Sequence, residues 1–119
     1  MKEFKQVTAM RTDLNMRKGK MIAQGAHAAI GAADAVDAAD SEPFNIWQEH
    51  GTTKICVKAT SEKELMQIYV DAVKAKIPVY LVTDSGRTEF GGVPTRTCLA
   101  IGPWWSDEID KITGELVLL

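Results

Sequence analysis

The chain has 119 residues, 45% of them apolar and 25% charged, with a formal net charge of −2 and two cysteines. This is the composition of one globular domain spanning the whole chain, with a single core that removes roughly two thirds of its unfolded surface from water. It excludes a helical membrane span, since no apolar run nears the ~20 residues required, and it excludes a wholly basic nucleic-acid coat.

Phe4 to Thr12 is predicted as a strand with Val7, Ala9 and Phe4 turned to the core. A polar turn carrying Arg17, Lys18, Gly19 and Lys20 follows and feeds one long Ala-rich helix from Gly19 to about Ala39. Gly25 and Gly31 each cost that helix ~1 kcal/mol of propensity, which points to close approach by a sheet or a second chain. Asp40-Ser41-Glu42-Pro43 is expected to break the helix, and Phe44 to His50 to form a short helical segment ending before Gly51. Thr53 to Ala59 is a second strand. Ser61 and Glu64 form a capping box, behind which Leu65, Ile68, Tyr69, Ala72 and Val73 make the stripe of an amphipathic helix. Val79 to Thr83 and Thr97 to Gly102 are the third and fourth strands. Ser106 is expected to cap a last short helix ended by Gly114, and Glu115 to Leu119 to add an edge strand. This order predicts an α/β fold, one sheet covered by helices on both faces.

Both cysteines lie inside apolar strand-like runs, so Cys56 and Cys98 are expected to be buried free thiols. No Cys/His cluster indicates a metal site. The N-terminus MKEFKQ has no hydrophobic signal core, so a cytoplasmic location is expected. Charge is uneven: residues 1–20 hold six Lys or Arg against two acids, while the remainder holds eight against fourteen. A local basic patch on an acidic body suits a partner that meets one face only, although an uneven solvated surface accounts for the same numbers equally well.

The turn at Arg17–Lys20 is the most informative segment. Free backbone N–H groups and the positive end of the helix dipole point the same way there, which makes a seat for a phosphate or a developing oxyanion. Lys20, Gln24, His27 and Gly31 follow i, i+4, i+7, i+11 spacing and share one helix stripe. For His27 alone, a satisfied, partly buried histidine outweighs a binding role. The turn is no Walker A loop, and no GxGxxG follows a strand, so nucleotide hydrolysis and dinucleotide binding are unsupported. Asp84-Ser85-Gly86-Arg87-Thr88 directly follows the third strand. If strands one and three are parallel, both turns lie at the same sheet end and Asp84 comes near Lys18, a carboxylate to position water and an ammonium to stabilise negative charge. An Asx-turn accounts for Asp84 as well, and both can hold.

Three blocks, RTDLNMRKGKMIAQGAHAAIGA, VTDSGRTEF and TCLAIGP with DEIDKITGELVLL, resemble the type-2 peptidyl-tRNA hydrolases in order and nearly end to end. The resemblance implies a three-layer α/β/α domain with a mixed sheet of about four strands, commonly homodimeric. It implies hydrolysis of the ester joining a peptide to the 3′ end of tRNA by direct water attack, with no metal or organic cofactor and no membrane partner. By motif, Lys18, Asp84 and Thr97 match the residues the family implicates in catalysis. Arg17, Gly19, Lys20, Gln24, His27, Arg87 and Thr88 are the expected substrate-binding positions, Arg17, Lys20 and Arg87 along the acceptor phosphates. The sequence departs from the pattern at Gly91–Arg96, where the family has a shorter proline-rich turn, at Ser85, and at Trp104-Trp105, of which at least one is expected to be buried. A non-catalytic RNA- or protein-binding module on the same fold, and a hydrolase of another acyl ester or amide, are the competing readings.

Overall fold

The structure, a computed structural model, describes residues 3–87 and 89–119. Its elements are β1 (Phe4–Arg11), α1 (Lys18–Ala39), α2 (Ser41–Glu49), β2 (Lys54–Ala59), α3 (Glu62–Lys74), β3 (Val79–Asp84), a 3-10 turn at Phe90–Gly92, β4 (Thr95–Trp105) and α4 (Ser106–Thr113). The strands form one mixed sheet in the order β2-β1-β4-β3. β1 is parallel to β2 and antiparallel to β4, and β3 is antiparallel to β4. β1 and β3 therefore run the same way, and the turns that leave their carboxyl ends lie at one end of the sheet.

The alternation of β1 sorts the core into two layers. Val7 and Ala9 pack with Leu65, Ile68 and Ala72 of α3 and Ile109 of α4. On the opposite face Met10 packs with Ala28 and Ala32 of α1, and Phe4 with Ala33 and with Trp47 of α2. Leu65 is fully buried, a burial that stabilises by about 2 kcal/mol. Ser61 caps α3 as expected, its Oγ accepting the Glu64 N–H at 3.0 Å, but the return bond of the capping box is displaced by one residue: Glu64 accepts the N–H of Thr60 at 2.9 Å instead of that of Ser61. The small residues of α1 let it lie close on the sheet. A Cβ on Gly31 would stand 2.5 Å from the Tyr80 ring of β3, so only glycine fits at this helix–strand contact. Among the described residues, no helix is long and apolar enough to cross a membrane.

Several sequence expectations are corrected. The helical segment after α1 begins at Ser41, because Asp40 accepts the Glu42 N–H at 3.1 Å and Pro43 falls in the first turn, where no N–H is needed. β4 runs on to Trp105, since Trp104 and Trp105 keep their pairing with Lys5 and Phe4. Ser106 is the first residue of α4 rather than its cap, and its N–H donates to Glu3 O. The C-terminal tail makes a single antiparallel bridge, Leu118 to Val57, instead of a strand. Cys56 is exposed, because it points from edge strand β2 to the face away from α3. Cys98 is buried as expected, and desolvation pushes its thiol up to about 11. Both tryptophans are half-buried and meet edge to face at 4.8 Å, Trp104 against the α3/α4 layer and Trp105 against Phe4.

Candidate active site

The site begins at the first turn of α1. Its N-cap, Arg17, makes no side-chain capping bond, and the first turn carries no acidic residue. The N–H groups of a first helical turn lack intrahelical acceptors, and here no side chain of the cap takes their place. Gly19 has open space where a Cβ would stand, so an incoming anion can approach the backbone closely. Arg17, Lys18 and Gly19 are exposed around this turn.

The end of β3 supplies the counterpart. Asp84 Oδ1 accepts a hydrogen bond from Lys20 Nζ at 2.7 Å, and Oδ2 accepts the Gly86 N–H at 2.9 Å. The Asx-turn is therefore real, and it orients a carboxylate that also faces the helix. The side chains of the pair are 16% and 12% exposed, so the contact is shielded from most of the solvent. The Lys20 hydrogen bond is the chief reason the Asp84 carboxyl lies below its ordinary value. Burial opposes this, while the Gly86 N–H and the charges of Lys20 and His27 reinforce it. Gly86 has φ +80°, and a Cβ there would meet the Val93 backbone at 2.4 Å, so the turn that holds Asp84 closes only with glycine.

The expected neighbour of Asp84 was Lys18, but the residue in contact is Lys20. Helix geometry explains the exchange. Two residues rotate the chain by about 200°, so the two lysines leave α1 on nearly opposite sides, and only one can face β3. The ammonium of Lys20 also lies 6.0 Å from the centre of the Phe90 ring. Lys18 has no ion pair among the described residues.

The stripe continues from Lys20 as the sequence spacing requires. Gln24, His27, Gly31 and Asp34 line one wall of a cleft of about 530 Å³, and Tyr80, Thr83, Asp84 and Ser85 line the other. His27 is exposed, not the satisfied, partly buried histidine expected of a lone imidazole. Gln24 is 4% exposed. Thr97 is fully buried, and its hydroxyl donates to Gln24 Oε1 at 2.5 Å. The structure thus places Thr97 behind Gln24. Arg87 is exposed in the loop after Asp84, while Thr88 lies outside the described residues.

One contributor has no signal in the sequence beyond its position at a strand end. Arg11 is 8% exposed and closes β1. Its guanidinium holds both carboxylate oxygens of Asp13, at 3.0 and 2.7 Å, and donates to the carbonyl of Arg96 at 3.0 Å. It ties the β1–α1 loop to the start of β4, at the residue before Thr97. The bidentate pair holds the carboxyl of Asp13 below its ordinary value.

The family model described as peptidyl-tRNA hydrolase PTH2 matches residues 4–119. Proteins named peptidyl-tRNA hydrolase from Thermococcus onnurineus and Methanocaldococcus jannaschii are 43% and 44% identical over 118 residues, covering 98% of this chain and 98% and 100% of theirs. A third of that name, from Halobacterium salinarum, is 43% identical over 116 residues, 97% of this chain and 99% of its own. An end-to-end family match and this level of identity leave one assignment: the chain belongs to the PTH2 family of peptidyl-tRNA hydrolases.

Proposed function

We propose that the protein hydrolyses the ester between a peptide and the 3′ end of tRNA in the cleft between α1 and β3, releasing free tRNA. The observation that carries this is the Lys20–Asp84 pair at 2.7 Å, set beside an uncapped helix N-terminus on a chain of the PTH2 family. Ester hydrolysis needs a placed water, donors for the tetrahedral oxyanion and cations for the acceptor phosphates. Asp84 is the group that holds the water. Its low pKa makes it a weak proton acceptor near neutrality, so its contribution is orientation and charge more than full deprotonation. Lys20 keeps that carboxylate ionised and aimed.

Lys18, exposed on the first turn, supplies an ammonium for the oxyanion together with the free N–H groups of α1. Such donors contribute ~3 kcal/mol each in comparable sites. Arg17 and Arg87 meet the acceptor phosphates, and His27 lines the path of the substrate. Thr97 enters through Gln24. Incubating the protein with N-acetyl-phenylalanyl-tRNA tests the reading. Release of the acyl group supports it, while binding without release would favour a non-catalytic RNA-binding module on the same fold.

A homodimer is part of the same proposal. A groove of about 650 Å³ runs between α1 and β2, lined by Met21, Ile22, Ala26, Ile30, Cys56 and Leu119 among others. Ile22 and Ile30 are 73% and 64% exposed, more apolar surface than an isolated helix face usually leaves in water. Ile30 also borders the cleft beside β3, so a second copy on this face would stand next to the site. Sedimentation should show a dimer for the wild type and a monomer for Ile22→Glu/Ile30→Glu; a wild-type monomer at high concentration would refute it. The cytoplasm, where tRNA is charged and used, is the proposed location, checked by cell fractionation.

A further inference from the structure

We infer that Gln24 presents its side-chain amide N–H group to the reacting ester, and that Thr97 is the residue that positions it, without touching the substrate. The inference rests on the hydrolase reading above.

Three observations converge on it. Thr97 is fully buried, whereas the cleft wall in front of it is formed by Gln24. The 2.5 Å contact between Thr97 Oγ1 and Gln24 Oε1 is too short for an amide N–H donor and fits an O–H···O bond. The hydroxyl therefore fixes the amide with its oxygen turned inward and its NH₂ turned away. Finally, the buried side-chain atoms without a partner, among the described residues, do not include Gln24 Nε2. No protein acceptor within the described residues takes that NH₂, so what remains for it is the open cleft, where Gln24, His27 and Asp84 converge.

The backbone builds this arrangement on purpose-specific irregularity. Opposite Val82 and Thr83 of β3 stand Cys98 and Arg96 of β4, so Thr97 is the extra residue of a β-bulge. In a regular strand, adjacent residues face opposite ways. The bulge lets both Thr97 and Cys98 address the same turn of α1. Cys98 Sγ donates to the backbone carbonyl of Gln24 at 3.4 Å while Thr97 takes its side chain. Gln24 is thereby held at two points from one strand. A neutral amide held in this way is preorganised to donate to an oxygen that gains charge, with no reorganisation as the charge develops.

The test is steady-state and single-turnover hydrolysis of N-acetyl-phenylalanyl-tRNA by a set of variants. Gln24→Glu replaces the donor by an acceptor of the same shape and should lower kcat by about 100-fold. Thr97→Val removes only the hydroxyl and should lower kcat by about 10-fold or more with KM little changed, with Thr97→Ser recovering most of that loss. In a Gln24→Ala background, Thr97→Val should cost less than about 2-fold further, because its only role is already gone. A residue that merely supports the fold would lower the melting temperature without this loss of coupling. Full additivity of Thr97→Val with Gln24→Ala would overturn the assignment by giving Thr97 a role of its own, as would unchanged kcat in Gln24→Glu. No turnover by the wild-type protein would instead bring down the reading of the whole site, and this assignment with it.

Discussion

Lys20 Nζ and Asp84 Oδ1 lie 2.7 Å apart, joining the first turn of α1 to the end of β3 across 64 positions of sequence. Both side chains are mostly shielded, and the second oxygen of Asp84 is already committed to the Gly86 N–H. The carboxylate thus has a fixed plane and a fixed charge. Those are the properties a water-orienting group needs, and the consequences below follow from them.

Asp84 has its pKa depressed by Lys20, so the pair is fully formed above the ordinary carboxylate value of 3.8 and is lost only as pH falls through the lower, folded value. The kcat/KM profile should therefore show no acid limb from Asp84 between pH 5 and 8. Lys20→Met removes the largest cause of the depression. It should move the acid limb to higher pH and cost ~1–3 kcal/mol of stability through the lost charged hydrogen bond. A pH–rate series on both proteins checks the direction, and a limb that stays in place would sever Lys20 from Asp84 in function.

Lys18 stands apart from that pair and is exposed. Lys18→Ala should lower kcat by ~100-fold while leaving the thermal midpoint unchanged, because its side chain makes no ion pair among the described residues. Turnover and calorimetry on the same preparation separate the two effects. A lowered midpoint with normal turnover would reverse the division of labour between the lysines.

Gly86→Ala forces a Cβ against the Val93 backbone, at 2.4 Å in the present geometry, in a residue whose φ is +80°. The expected result is a destabilisation of ~1–3 kcal/mol together with a large fall in kcat, since the turn that orients Asp84 must open. Ser61→Ala is the contrasting change. It removes the α3 cap at ~1 kcal/mol, on the face of the sheet opposite α1, and should leave kcat as it is. Chemical denaturation and turnover of the two variants provide the comparison.

Arg87 is exposed in the loop that follows the cleft residues Asp84 and Ser85. If it meets an acceptor phosphate, Arg87→Ala should weaken tRNA binding evenly across sequences. It should also reduce the slope of log affinity against log salt by about 1. A salt titration of binding reads this directly, and an unchanged slope would remove Arg87 from the interface.

The fold was largely legible in the sequence because its signals are local: the Ser61 cap of α3, the Ala-rich run of α1 and the alternation of β1 all fall where composition places them. What was missed depends on pairing between distant strands. Trp104 and Trp105 extend β4 because Phe4 and Lys5 lie opposite them, and nothing nearby in sequence announces it. The site shows the same division. The stripe Lys20–Gln24–His27–Gly31, read from helical spacing alone, carries the Asp84 partner Lys20 and, in Gln24, His27 and Gly31, one wall of the cleft. Lys18 was expected near Asp84 because both turns lie at one sheet end, an argument that fixes the position of a turn and not the direction of a side chain. The burial of Thr97 follows from a bulge, a register irregularity between β3 and β4 that no single-strand pattern encodes.

The most direct test of the account is single-turnover hydrolysis of N-acetyl-phenylalanyl-tRNA by the wild-type protein and Asp84→Asn at equal tRNA occupancy. The account predicts rapid release of the acyl group by the wild type and a rate at least ~100-fold lower for the variant, with tRNA affinity nearly preserved and the thermal midpoint lowered no further than in Lys20→Met, which breaks the same pair. Equal rates for the two proteins would contradict it.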